Sequence, residues 1–181
     1  MDSNFFSVFT FPMLYGKPEH ALDDPHSIVL SEEIAEKYFG KGNPVGKTLD
    51  LKMGDGTLAF QPFKVTAVAK KSPQNSSIKI KMLLPKKVNH IDYQWNNFFE
   101  NTFLVIKPGT NIKQLDAKIN KIYLTDAASQ IKENADKFGD KDKRSFSLQP
   151  LLEMHTSTDY PADNGLSDQS NPMYSYILSG I

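Results

Sequence analysis

The stretch from Ser27 to Leu51, SIVLSEEIAEKYFGKGNPVGKTLDL, constrains this chain more than any other. Ser-Ile-Val-Leu is a short apolar run of the kind that forms a buried strand. Ser31 then stands where a helix needs a cap, with Glu32 and Glu33 in the first turn, where the helix dipole favours anions. Ile34, Ala35 and Tyr38 fall on one face by helical spacing, and Gly40 occupies the position of a left-handed C-cap. Pro44-Val45-Gly46-Lys47 follows and opens a second strand, Lys47–Met53. A strand leading into a helix whose apolar stripe needs a sheet beneath it, then a return to a strand, points to α+β architecture.

The rest of the chain extends that reading. Phe5–Gly16 is aromatic-rich and forms either a short helix entering a strand or one bent strand. Residues 18–27 are a polar loop with two prolines. Gly54-Asp55-Gly56 is a hairpin signal between Lys47–Met53 and Thr57–Phe60. The runs Phe63–Lys70 and Ser77–Pro85 alternate, the second with Ile78, Ile80 and Met82 on one side and Lys79 and Lys81 on the other. Thr102–Lys107 is a further strand candidate. Residues 108–139 are the clearest helix, with Asn111 and Gln114 as a capping pair, a stripe of Ile112, Leu115, Ile119 and Ile122, and a break near Gly139. Within Ser145–His155 a last strand is expected that ends at Pro150, and the chain from there to Pro172 reads as a long polar loop.

Charge narrows the functional classes. Lys+Arg and Asp+Glu each total 21 in 181 residues, so the net charge is zero, and Arg144 is the sole arginine. Nucleic-acid proteins show a positive excess and rely on arginine for bidentate contacts, so nucleic acid is not expected as a partner. The charge is uneven. Residues 1–40 hold seven acids and two lysines, whereas residues 41–87 hold ten lysines against Asp50 and Asp55. The lysines fit either a solvated strand face or a surface turned to anionic headgroups or an acidic partner. There is no cysteine, which excludes disulfides, thiolate metal sites and a thiol nucleophile, and fits an oxidising compartment, although cytosolic proteins can lack cysteine too.

No catalytic, metal or cofactor constellation emerges. His20, His26, His90 and His155 never fall at i, i+3 or i+4, so no helical metal motif exists. His20 and His26 share a loop with Asp23 and Asp24, which reads as surface rather than as a metal site. His155 has Glu153 and Asp159 near it in sequence as acid–base partners. Ser31 sits at a strand-to-helix turn, as a hydrolase nucleophile does, but lacks the flanking glycines of that motif, and capping explains it. Gly46-Lys47-Thr48 resembles the end of a phosphate loop. Gly40 is one residue too far from Gly46 for that motif, Gly42 is too close, and Lys47 opens a strand where a phosphate loop opens a helix. Tyr93, Trp95, Phe98 and Phe99 suit either a ligand cleft or a core under a loop.

Taken in order, an aromatic FF-VF-F segment, VLSE..A.KYFG....PVGKTL, FKVTAV leading to P.NSS, TFLVIKPGTNIKQLDAKINKI and LQPLLEMHTST resemble the MacB-like periplasmic core domain of ABC-transporter permeases. These are relatives of the FtsX and lipoprotein-release permeases. Ser31, Phe39, Gly40, Pro44, Gly46 and Lys47 carry the motif, and Ala67 departs from it, standing where relatives usually have glycine. The resemblance implies a porter-like α+β subdomain, residues 1–42 and 96–155, and a smaller, mostly β subdomain, residues 43–95. Residues 156–181 are then a loop and a juxtamembrane lead, and the chain is an excised extracytoplasmic domain lacking the membrane spans on either side. It further implies a non-enzymatic domain with no cofactor that relays ATP-driven motion to export or release of a substrate. The implied partners are a cytoplasmic ABC ATPase acting through the membrane spans, a second permease copy and a periplasmic adaptor. The alternatives are a stand-alone periplasmic module binding a ligand or protein through the aromatic segment, and a hydrolase built on Ser31 or His155.

Overall fold

A computed structural model of the chain describes residues 1–52, 59–86, 95, 100–139, 144–154, 156–157, 166, 171, 173 and 177. The Gly54-Asp55-Gly56 turn, the aromatic residues 93, 98 and 99, His90, His155 and most of the apolar tail lie outside the described residues. Two compact units are present: Met1–Ile91 with Gly165–Ser167, and Asp92–Asn164 with Asp168–Ile181.

The first unit is built on a five-stranded sheet with strand order β1-β4-β2-β5, and with β3 also paired to β4. The strands are β1 (Met13–Gly16), β2 (Ser27–Ser31), β3 (Thr48–Lys52), β4 (Phe60–Ala69) and β5 (Met82–Leu83). Only β2 runs parallel to β4; β1 and β3 are antiparallel to it and lie end to end along one edge. Elements on both sides of residue 43 thus build one sheet. Among the described residues this unit has two α-helices, α1 (Phe5–Val8) and α2 (Glu32–Phe39). The aromatic N-terminus is therefore a short helix entering a strand, the first of the two forms its sequence allows.

Each face of the sheet carries its own core. On one face Phe5, Ala21, Leu22, Val29, Ala67 and Ala69 pack with the aromatic rings around α1. Phe5 stacks on Phe11 at 5.6 Å between centroids and meets Phe6 edge-on at 5.1 Å. On the other face Ile28, Leu30, Phe63, Val65 and Val68 pack beneath Ala35 of α2. Val65 and Val68 share a face, as do Ala67 and Ala69, so the simple alternation expected along Phe63–Lys70 breaks. The cause is a β-bulge: Ile28 lies opposite Val65 and Val29 opposite Ala67, leaving Thr66 as the extra residue. Its half-buried hydroxyl lies 2.7 Å from the Ala21 carbonyl oxygen and 3.1 Å from that of Ile28, which ties the 17–26 loop to the bulge.

Two strand expectations are corrected in this unit. Phe60, the end of one expected strand, and Phe63–Ala69 of the next belong to a single strand, because β4 starts at Phe60 and runs through Pro62, while residues 57 and 58 lie outside the described residues. The Ser77–Pro85 run contributes only β5 and an isolated bridge from Ile78 to Leu166. Lys79 and Lys81 are exposed as the alternation requires, but Ile78 and Ile80 join the α1 face while Met82 joins the α2 face.

In the second unit the long helix is two, α3 (Ile112–Asp126) and α4 (Ala128–Phe138), joined at the buried Ala127. Asn111 caps α3 by accepting from the Gln114 amide at 3.1 Å, and Gly139 ends α4 in the left-handed conformation. Lys137 hydrogen-bonds Glu133 one turn away on α4 and holds its carboxyl below the usual carboxylate range. The buried side of α3 differs from the expected stripe. Leu115 and Ile119 are half-buried, whereas Ile112 and Ile122 are exposed, and Tyr123 takes the central place between Trp95 (5.7 Å) and Phe146 (5.0 Å).

Neither Thr102–Lys107 nor Ser145–Pro150 forms a strand. The physical reason is visible in the second segment. The Asn120 carboxamide accepts from the Phe146 amide (2.8 Å) and donates to its carbonyl (2.6 Å), and Asp116 accepts from the Leu148 amide (3.0 Å). Side chains of α3 thus satisfy backbone groups that a neighbouring strand would otherwise pair. Leu151–Glu153 then form a 3₁₀ turn.

β1 and β4 approach closely at Gly16, opposite Ala67. A Cβ there would sit 2.4 Å from the Thr66 carbonyl oxygen, and φ is +80°. Gly16→Ala is therefore expected to lower the unfolding free energy by about 2–4 kcal/mol through clash and backbone strain. Urea unfolding followed by circular dichroism measures the change, and a loss indistinguishable from that at an exposed loop glycine would contradict this account of the β1–β4 contact.

Candidate functional site

The motif residues of the 27–51 stretch sit in one continuous substructure. β2 is buried at every position and delivers the chain to Ser31, itself 5% exposed. The Ser31 amide donates to the Lys81 carbonyl beside β5 at 2.9 Å, and its hydroxyl accepts from the Ile34 amide at 3.3 Å. The hydroxyl is thus an N-cap, as expected. Ala35 is buried in the core, with Ile34 and Phe39 against it. Tyr38 is instead 51% exposed, which corrects the expected stripe. Phe39 lies four residues beyond Ala35 and so continues the same face, turning Tyr38 outward beside Lys37.

Gly40 has φ +73° and ψ −167°. The positive φ was expected, but this conformation lies outside the left-handed helical well, in a region that only glycine enters readily. Space is not the constraint, since nothing lies within 4 Å of a Cβ built there.

The segment after Gly40 docks on β4. The Asn43 side chain accepts from the Val45 amide at 3.0 Å and sets the turn. Pro44 is fully buried. The Gly46 amide donates to the Val65 carbonyl (2.8 Å), the Lys47 amide to the Pro44 carbonyl (3.0 Å), and the Val65 amide to the Lys47 carbonyl (2.8 Å). Lys47 carries its ammonium 5.7 Å from the centre of the Phe39 ring, bringing helix end and turn together. Thr48 opens a strand, so no phosphate-cradling helix follows the Gly-Lys-Thr sequence.

Sequence reasoning missed Thr66 and Gly16. The signal for the first was faint: Val65, Ala67, Val68 and Ala69 are too continuously apolar for a strand with one plain alternation.

The chemical candidates stay apart. His20 pairs with Asp23 at 2.7 Å on the surface, and the His26 ring leans on Phe63 at 5.8 Å. Among the described residues no three His, Asp or Glu side chains are grouped to hold a metal ion. His155 and Asp159, the second of its two candidate partners, lie outside the described residues, as does most of the aromatic segment. Trp95 is described: its amide donates to the Gln130 side chain at 2.8 Å. Lys52 and Lys64 lie on the β3–β4 ribbon, whereas Lys70 and Lys81 flank Ser31 at the opposite end of the sheet, so these exposed lysines form no single patch.

The local geometry predicts two different losses. Ser31→Ala is expected to cost about 1 kcal/mol by removing the cap. Gly40→Val is expected to cost more, about 2–3 kcal/mol, from backbone strain alone. Equilibrium denaturation of both variants checks the order, and Gly40→Val proving the milder change would contradict the assignment at the helix end.

Residues 1–122 match the family described as MacB-like periplasmic core domain. Among solved structures, a domain of a Porphyromonas gingivalis protein described as a permease is similar, with a TM-score of 0.50 and 25% identity over 67% of this chain and 55% of that one. The periplasmic region of MacB from Actinobacillus actinomycetemcomitans aligns with a TM-score of 0.44 and 16% identity over 75% of this chain and 63% of that one. The aligned region thus spans less than two thirds of either solved chain. No curated protein matches.

Proposed function

The chain belongs to the MacB-like periplasmic core domain family and is a periplasmic domain of a MacB-like ABC permease, and from that premise we propose that it relays motion rather than performing chemistry. ATP hydrolysis by a cytoplasmic subunit drives the membrane spans of the permease, and this domain passes the resulting movement to a substrate being exported or released, or to a periplasmic adaptor. A second permease copy supplies the opposing domain.

The observation that carries this reading is the family match over residues 1–122, which takes in the whole first unit up to Ile91. The local structure supports it. The strand–helix–turn unit from Ser27 to Lys52 is tied to β4 by backbone hydrogen bonds on both sides, and it commits its one hydroxyl nucleophile candidate, Ser31, to capping. A body so tied transmits displacement instead of absorbing it. Among the described residues no helix is long and apolar enough to cross a membrane, so the coupling to the bilayer is assigned to spans outside them.

The test uses the full-length permease with its ATPase in proteoliposomes. Gly16→Ala and Gly40→Val, which loosen the first unit, should cut transport or substrate release at least about tenfold while basal ATP hydrolysis stays within about twofold. Transport unchanged when residues 1–91 are replaced by an unrelated soluble domain of similar size would refute the relay. Esterase or peptidase turnover by the isolated chain, lost in Ser31→Ala, would replace it with the hydrolase reading.

A further inference from the structure

Two hydrogen bonds fix the direction of every backbone group along the first half of β4. The Val65 amide points to the β3 side and donates to the Lys47 carbonyl, whereas the Lys64 amide points to the opposite side and donates to the His26 carbonyl at 2.7 Å. Directions alternate along a strand, so Gln61 and Phe63 turn to β3, and Phe60 and Pro62 turn to the other edge. β2 starts only at Ser27, opposite Lys64. Over residues 60–63 that edge has no strand beside it among the described residues, although β3 pairs the other side from Lys52 to Thr48.

This half of the ribbon has the marks of a pairing hazard. Phe60 is 68% exposed beside the open edge, and such an edge is a template for another strand. A second copy could join by two-fold symmetry centred on Gln61, which sets Phe60 of each chain opposite residue 62 of the other. The position stops short of Lys64, whose amide is already engaged, and brings no like charges together. With an ordinary residue at 62, both amides and both carbonyls of each chain would bond across the join.

Residue 62 is proline, the third residue of a ten-residue strand. Proline has no amide hydrogen and disfavours strand interiors. Here its nitrogen faces away from β3, so the β3–β4 ladder loses nothing, while half of the bonds across the open edge cannot form. We infer that Pro62 is an edge guard: it keeps a second copy of this chain from adding strand to strand along residues 60–63 of β4. The inference concerns unwanted self-pairing and stands apart from any pairing through membrane spans.

Pro62→Val and Pro62→Thr, two strand formers, test it in the chain as described here. Sedimentation equilibrium should show the weight-average mass of each variant rising towards twice that of wild type at submillimolar concentration. Hydrogen exchange should slow at the Phe60 amide in the same samples. Variants that keep the wild-type circular dichroism and the wild-type mass would overturn the inference. So would loss of the fold in both, because a residue whose task is to block a free edge is replaceable by a strand former.

Discussion

The first unit depends on one extra residue. β4 is flanked by strands on both edges, and its two faces must serve two different cores. A regular strand would carry Val65, Ala67 and Ala69 to one face and Val68 to the other. The bulge at Thr66 resets the parity, sending Val65 and Val68 towards α2 and Ala67 and Ala69 towards the aromatic cluster around α1. A bulge leaves backbone groups short of strand partners. Here the Thr66 hydroxyl, within bonding reach of the Ala21 and Ile28 carbonyls, converts that weak point into the anchor of the 17–26 loop.

The small residues around the bulge follow from it. With β1 brought against β4 there, Gly16 meets the Thr66 carbonyl and the Ala67 backbone at distances that leave no room for a side chain. Ala67 lies opposite Gly16 of β1. Its methyl group fits because the facing residue is Gly16. Beside β1, along the same edge of β4, the Pro-Val-Gly-Lys turn uses the backbone groups of Val65, so β4 is held at its midpoint by β2, by the turn and by the loop together.

This arrangement suits a domain that works by position. Its buried polar groups are committed to structure: Ser31 caps a helix, and the half-buried Thr66 holds a bulge. The second unit follows the same principle with different means, since Asn120 and Asp116 on α3 hold the extended chain at Phe146 and Leu148 through side-chain hydrogen bonds. Backbone that elsewhere would need a strand partner is satisfied by a helix.

How much of this was legible depended on whether the cause was local. The Ser31 cap, the Asn111 cap, the positive φ of Gly40 and the strand opened after Gly46-Lys47 were all readable, because each is decided within a few residues by hydrogen bonding or backbone sterics. The family was readable for the same reason, as several such local signatures occurred in order. Which way Tyr38 and Phe39 turn was not readable, since both fit the helix and only the position of the sheet beneath selects Phe39. Nor was the fate of Thr102–Lys107 and Ser145–Pro150, whose strand-like composition forms strands only beside an edge with matching free groups. The sequence by itself determined the caps, the turns and the α+β class. Tertiary structure decided the bulge at Thr66, the division of one sheet between two cores and the helix-held chain at Phe146, because each depends on pairing between segments far apart in the chain.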